Sequence, residues 1–69
     1  MDLHWEDDFK IRVSIYKDEA TVSANRDGLL SLAAHLAALA EEAPGSHFHL
    51  DKNNSLEDGS AELIIEKIE

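Results

Sequence analysis

Apolar and polar residues alternate without a break along Phe9-Lys-Ile-Arg-Val-Ser-Ile-Tyr16. Phe9, Ile11, Val13 and Ile15 fall on one side; Lys10, Arg12, Ser14 and Tyr16 fall on the other. A period of two is that of a strand with one face buried. Lys17-Asp18 offers a tight connection without glycine, and Glu19–Ala24 then reads as a partner strand with Ala20, Val22 and Ala24 inward. From Asn25 the period changes. Leu29, Leu32, Ala33, Leu36, Leu39 and Ala40 recur at three- and four-residue steps, which predicts one amphipathic helix and places these six on its core side. Asn25 is a suitable N-cap, and Asp27 sits in the first turn, where the helix dipole favours negative charge. Pro44-Gly45 marks the stop.

Alternation resumes at Ser46–Asp51, with Phe48 and Leu50 inward and His47 and His49 outward. The stretch from Asp51 to Gly59 is dense in turn formers and reads as a loop. A last strand spans Ala61–Ile68. Leu63 and Ile65 are placed inward and Glu62, Ile64 and Glu66 outward, because the opposite phase would bury two carboxylates. The order is therefore β-β-α-β-β, an α+β domain. The expected form is a four-stranded, mostly antiparallel sheet with one helix packed on one face. Residues 9–69 form that domain and residues 1–8 an acidic N-terminal arm, whose Trp5 is expected to pack over a sheet edge. One helix covers one face. Lys10, Arg12, Ser14, Tyr16, His47, His49, Glu62, Ile64 and Glu66 are left on the other, a place to be touched.

Composition narrows the function. A chain of 69 residues with 15 acidic and 6 basic side chains carries a formal charge of −9, which repels phosphate backbones and argues against nucleic acid. The same field would speed the encounter with a basic partner. With no cysteine, neither a disulfide framework nor a thiolate zinc site is available. No apolar run approaches the ~20 residues of a membrane span. The start of the chain has no basic-then-apolar signal pattern, so a cytoplasmic location is expected and no membrane association.

Candidate chemistry is sparse. His47 and His49 lie about 7 Å apart on one strand face, and Glu62 or Glu66 from the adjoining strand would complete a two-histidine, one-carboxylate set for a metal. Ordinary cross-strand charge pairing also produces that arrangement, and a metal is the least favoured reading of it. Asp51, Asn53, Ser55, Glu57 and Glu62 occupy positions 1, 3, 5, 7 and 12 of a calcium-loop pattern. Leu56, however, stands where the loop needs glycine, and strands flank it. Asx-turns explain the loop better. His35 falls at the edge of the helix stripe, packed by its ring body, with no partner arrangement for nucleophilic catalysis. No cofactor and no catalytic residue is indicated.

Three stretches carry a resemblance: the Gly28-Leu-Leu-Ser-Leu-Ala33 helix start, the Pro44-Gly-Ser-His-Phe-His-Leu50 strand and the Asn54-Ser-Leu-Glu-Asp-Gly-Ser60 loop. With them the chain from about Phe9 to Ile68 resembles a family of small immunity proteins of bacterial polymorphic toxin systems. The resemblance implies a non-enzymatic protein that binds and silences a cognate toxin. Joined to the acidic surface and the open sheet face, it makes Tyr16, His47, His49, Glu57, Asp58 and Glu62 the expected contact residues, with Arg12 at the rim. Two rival readings differ in kind: a homodimer paired through the open sheet face or an edge strand, and a small metal-binding module built on His47 and His49.

Overall fold

The computed structural model describes every residue except Asp2, so that acid of the arm lies outside the described residues. Strand β1 (Ile11–Tyr16) pairs antiparallel with β2 (Glu19–Ala24), with Ile11 opposite Ala24 and Tyr16 opposite Glu19. Lys17 closes the two-residue turn at φ 53°, a left-handed conformation that glycine or asparagine adopts more easily. Helix α1 (Arg26–Ala40) follows directly. Asn25 caps it: its side-chain oxygen accepts from the backbone N–H of Gly28 at 2.8 Å and of Lys10 at 3.0 Å. A second hairpin joins β3 (His47–Leu50) to β4 (Leu63–Glu66).

The chain enters the helix from β2 through its capping residue and leaves it towards β3. At its far end, Lys67 Nζ donates to the carbonyls of Ala40 at 2.8 Å and Glu42 at 2.7 Å. A cation there satisfies carbonyls left free at the helix end and offsets Glu41 and Glu42 at the negative pole.

The α+β class and the element order agree with the sequence reading, but the single four-stranded sheet does not form. The hairpins are two separate two-stranded sheets. The free edge of β1 is instead taken by the segment leading into β4. Glu57 and Ala61 donate their backbone N–H groups to the carbonyls of Ile11 and Val13, each at 2.9 Å, and Val13 N–H donates to the Ser60 hydroxyl at 3.2 Å. Gly59, at φ 84°, turns the chain between those bonds, so a continuous ladder is interrupted where a fourth strand would have docked.

Ile11, Val13, Leu39, Phe48, Leu50 and Leu56 make the core. Phe48 and Leu50 are inward as the alternation requires, and Leu63 and Ile65 pack against the core while Ile64 faces out. Two expectations fail. On the first hairpin, Ile15, Ala20 and Val22 are exposed, because its tip runs past the core. On α1, the buried residues are Gly28, Ser31, His35 and Leu39, with Leu32 half-buried, while Leu29, Ala33, Leu36 and Ala40 face solvent. The helix is turned by about a quarter turn from the orientation its leucines suggest. Leu56, placed in a loop by its turn-forming neighbours, is buried because Asp51 ties the loop back over the sheet: its carbonyl accepts from the N–H groups of Asn54, Ser55 and Leu56.

Candidate functional site

The β3–β4 hairpin builds a mixed surface patch from its outward positions. Alternation along β3 drives Phe48 and Leu50 into the core, which leaves His47 and His49 on the opposite face, both exposed. Their rings meet edge to face with centroids 5.0 Å apart. Glu62 reaches across to place a carboxylate oxygen 3.4 Å from His49 Nδ1. Ile64, directly opposite His49 in the register, stands 52 % exposed beside them. The patch thus offers two imidazoles, one carboxylate and one bare aliphatic side chain on a flat β-surface. Among the described residues no three histidine, cysteine, aspartate or glutamate side chains are grouped to hold a metal ion.

The other expected contact residues lie elsewhere. Glu57 and Asp58 sit on the turn beside β1, where Arg12 donates from Nη1 to the Asp58 carbonyl at 2.8 Å. Glu57 borders a shallow open cleft with Lys10, Arg12 and Ser23. Tyr16 stands 70 % exposed at the tip of the first hairpin, with the Lys17 ammonium 5.4 Å from its ring centre. The six therefore divide into a histidine–glutamate patch, an acidic turn and an isolated tyrosine. The Asp51 carboxylate is engaged in an Asx-turn, accepting from Asn53 N–H at 2.8 Å and Asn54 N–H at 3.1 Å, which is the role its loop composition suggests.

A different group of residues escaped the sequence reading. His35 is fully buried, between Trp5 at 4.1 Å and Phe48 at 5.6 Å between ring centres. Trp5 in turn lies 4.5 Å from Phe9. A carbonyl only accepts, so the 3.0 Å contact between His35 Nε2 and the His4 carbonyl fixes the proton on Nε2. Nδ1 is then bare, buried and without a partner. Burial pushes the His35 pKa below its ordinary value, since a second proton would bring an uncompensated charge into the core. Ser31 is equally buried; its hydroxyl accepts from Glu6 N–H and donates to the Asp27 carbonyl, both at 2.8 Å. These groups tie residues 4–6 to the helix. The available signal was the helix start itself, where glycine and serine stand on the face that touches backbone.

Among the described residues no helix is long and apolar enough to cross a membrane. No curated protein and no solved structure matches the chain. A family model described as immunity protein 32 does match, over residues 19–68, well over half of the chain. The match runs from the start of β2 past the end of β4, so it takes in α1, the histidine–glutamate patch and the acidic turn, and leaves out Tyr16.

Proposed function

We propose, from the premise that this chain belongs to the immunity protein 32 family, that it is a non-enzymatic binding protein that neutralises a cognate bacterial toxin by occlusion. The open face of the β3–β4 hairpin is the contact surface. The observation that carries this reading is the exposed group of His47, His49, Glu62 and Ile64 on the side of the hairpin opposite the core. Imidazole rings and a bare isoleucine supply apolar contact area, and Glu62 supplies a carboxylate that would pair with a lysine or arginine on the toxin. Glu57 and Asp58 extend the negative charge, and a net charge of −9 steers a basic toxin surface towards it. Tyr16, on the other hairpin, would be reached only by a broad partner. Occlusion then follows from chemistry: basic groups that a toxin needs for its own substrate are engaged by these carboxylates instead. The reading places this encounter in the cytoplasm, and the negative charge that repels phosphate backbones gives nucleic acid no part in it.

The test is binding of the purified chain to the toxin encoded beside its gene, together with rescue of growth in cells producing that toxin. Glu62→Lys with Ile64→Ser should weaken binding at least about a hundredfold, as expected when a central charge and an apolar anchor are lost together. Growth rescue should fail while the circular dichroism spectrum is unchanged. Undiminished binding by that variant would remove the sheet face from the mechanism.

A further inference from the structure

Between Gly28 and Ala40 the helix holds no charged residue, and its two polar side chains, Ser31 and His35, both point into the core. The face turned to solvent is therefore made of Leu29, Leu30, Ala33, Leu36, Ala37 and Ala40 alone. Leu29 is 55 %, Leu30 41 % and Leu36 47 % exposed. A surface helix of a monomer normally carries its charged residues on this side, and a contiguous apolar strip marks a contact site.

We propose that this face of α1 binds the same face of a second copy of the chain, with the two helices antiparallel about a two-fold axis between Ala33 and Ala34. Self-complementarity carries the argument. Arg26, Leu30, Ala33, Ala37 and Glu41 follow one another on the wheel at three- and four-residue steps, so they form one ridge. Antiparallel pairing about its middle sets Arg26 against the partner's Glu41 and Leu30 against the partner's Ala37. Each copy then offers a large side chain where the other is small, and a cation where the other has an anion. Arg26 is free to do this: it is exposed, and its contact with Asp27 is long, at 3.8 Å. Antiparallel helix dipoles also attract. Because two-fold symmetry makes such a contact self-closing, the product is a dimer and not a fibre. The like net charges of the two copies repel, but that repulsion is largely screened beyond the ~8 Å Debye length at physiological salt.

Area sets the strength. A helix of this length offers a strip ~22 Å long and ~10 Å wide, smaller than the roughly 800 Å² per partner of a standard interface. Association is therefore weak and shows only as the protein concentration is raised, and it leaves the histidine–glutamate patch, on the other side of the molecule's core, free for a different partner.

Sedimentation velocity of the full chain from low micromolar to several hundred micromolar tests the proposal. The weight-average mass should climb towards twice that of the monomer. Leu30→Glu should hold the chain at monomer mass with an unchanged circular dichroism spectrum. Arg26→Glu should weaken association about tenfold, since symmetry doubles each lost pair. Arg26→Glu combined with Glu41→Arg should restore it. A chain that stays monomeric at the highest concentration overturns the proposal, as does a double variant no better than Arg26→Glu alone. A monomeric chain whose Leu30→Glu variant loses the toxin would assign the strip to the toxin and equally overturn it. Growth rescue by an unaltered chain that stays monomeric, read separately, leaves the toxin-binding reading standing while the dimer falls.

Discussion

The two faces of α1 are made in opposite ways. The inner face carries glycine, serine and histidine with a single fully buried leucine, Leu39; the outer face carries three leucines and three alanines. On the inside, specificity comes from close approach and hydrogen bonds to backbone: Ser31 to Glu6 and Asp27, His35 to His4. On the outside, only shape and apolar area are presented. A helix can therefore be held to its own domain by polar contacts and keep its hydrophobic residues for another surface. Hydrophobic periodicity fixes that a helix exists; it does not fix which way the helix is turned when both sides lack charge.

Gly28 gives the sharpest way to break the inner face. A Cβ there would overlap the Lys10 carbonyl oxygen and press on Ile11 and Ala24. The Lys10 carbonyl also accepts from Asn25 N–H at 3.1 Å, so it cannot retreat without loosening the cap. On a free helix, Gly→Ala would gain about 1 kcal/mol of propensity. Here Gly28→Ala should cost about 2–3 kcal/mol net by overpacking, a large part of what a domain of this size possesses. Urea denaturation measures it, and a gain in stability would show that the helix does not lie against β1.

Ser31→Ala comes next in size. It strands the part-buried N–H of Glu6 and should cost about 1–2 kcal/mol. Trp5, the chain's only tryptophan, reports whether residues 3–6 leave with that bond: its fluorescence should shift towards that of exposed indole. We propose on this basis that the described residues of the 1–8 arm fold back on the 9–69 domain through Ser31 and His35, and an unshifted spectrum in Ser31→Ala would contradict it.

Acid probes the same face by another route. The folded state holds His35 neutral at a pKa below its ordinary 6.5, so below that pH the unfolded chain takes up a proton that the folded chain refuses. This contribution to stability is complete above pH 6.5 and is lost as pH falls from there towards the folded pKa. His35→Leu removes the titrating ring at similar volume and should flatten the denaturation midpoint between about pH 6.5 and 5. A slope as steep as that of the unaltered chain would trace the acid sensitivity to other groups.

Much of this architecture was legible because local rules were obeyed. The two phases of alternation, the Asn25 cap, the Pro44-Gly45 stop and the outward direction of His47, His49 and Glu62 all follow from spacing and from the cost of burying carboxylates. Three features were not legible. Leu29 and Leu36 look like core residues because hydrophobicity is counted without knowing what lies opposite, and Ser31 looks like a surface residue and His35 like a boundary one for the same reason. The split of the four strands into two sheets turns on Gly59, whose positive φ interrupts the segment that lies along the edge of β1. Leu56 was hidden by the turn formers around it. In the candidate site, alternation alone put the histidines and Ile64 on one face, but only the structure could set Ile64 opposite His49 and separate them from Tyr16.

The outer face should respond to mutation in the reverse sense, and Leu36→Gln is the mildest way to see it. At concentrations where the chain is monomeric, removing a side chain that is already 47 % exposed should change stability by less than about 0.5 kcal/mol, in contrast to the losses at Gly28 and Ser31 on the other side of the same helix. At high concentration the same change should lower the denaturation midpoint, because the folded state then draws stability from association and the variant gains less of it. A concentration-dependent difference between Leu36→Gln and the unaltered chain separates a face kept for a partner from one that is merely apolar. A loss of stability equal at every concentration would instead mean that Leu36 packs within its own chain, and the contrast between the two faces would collapse.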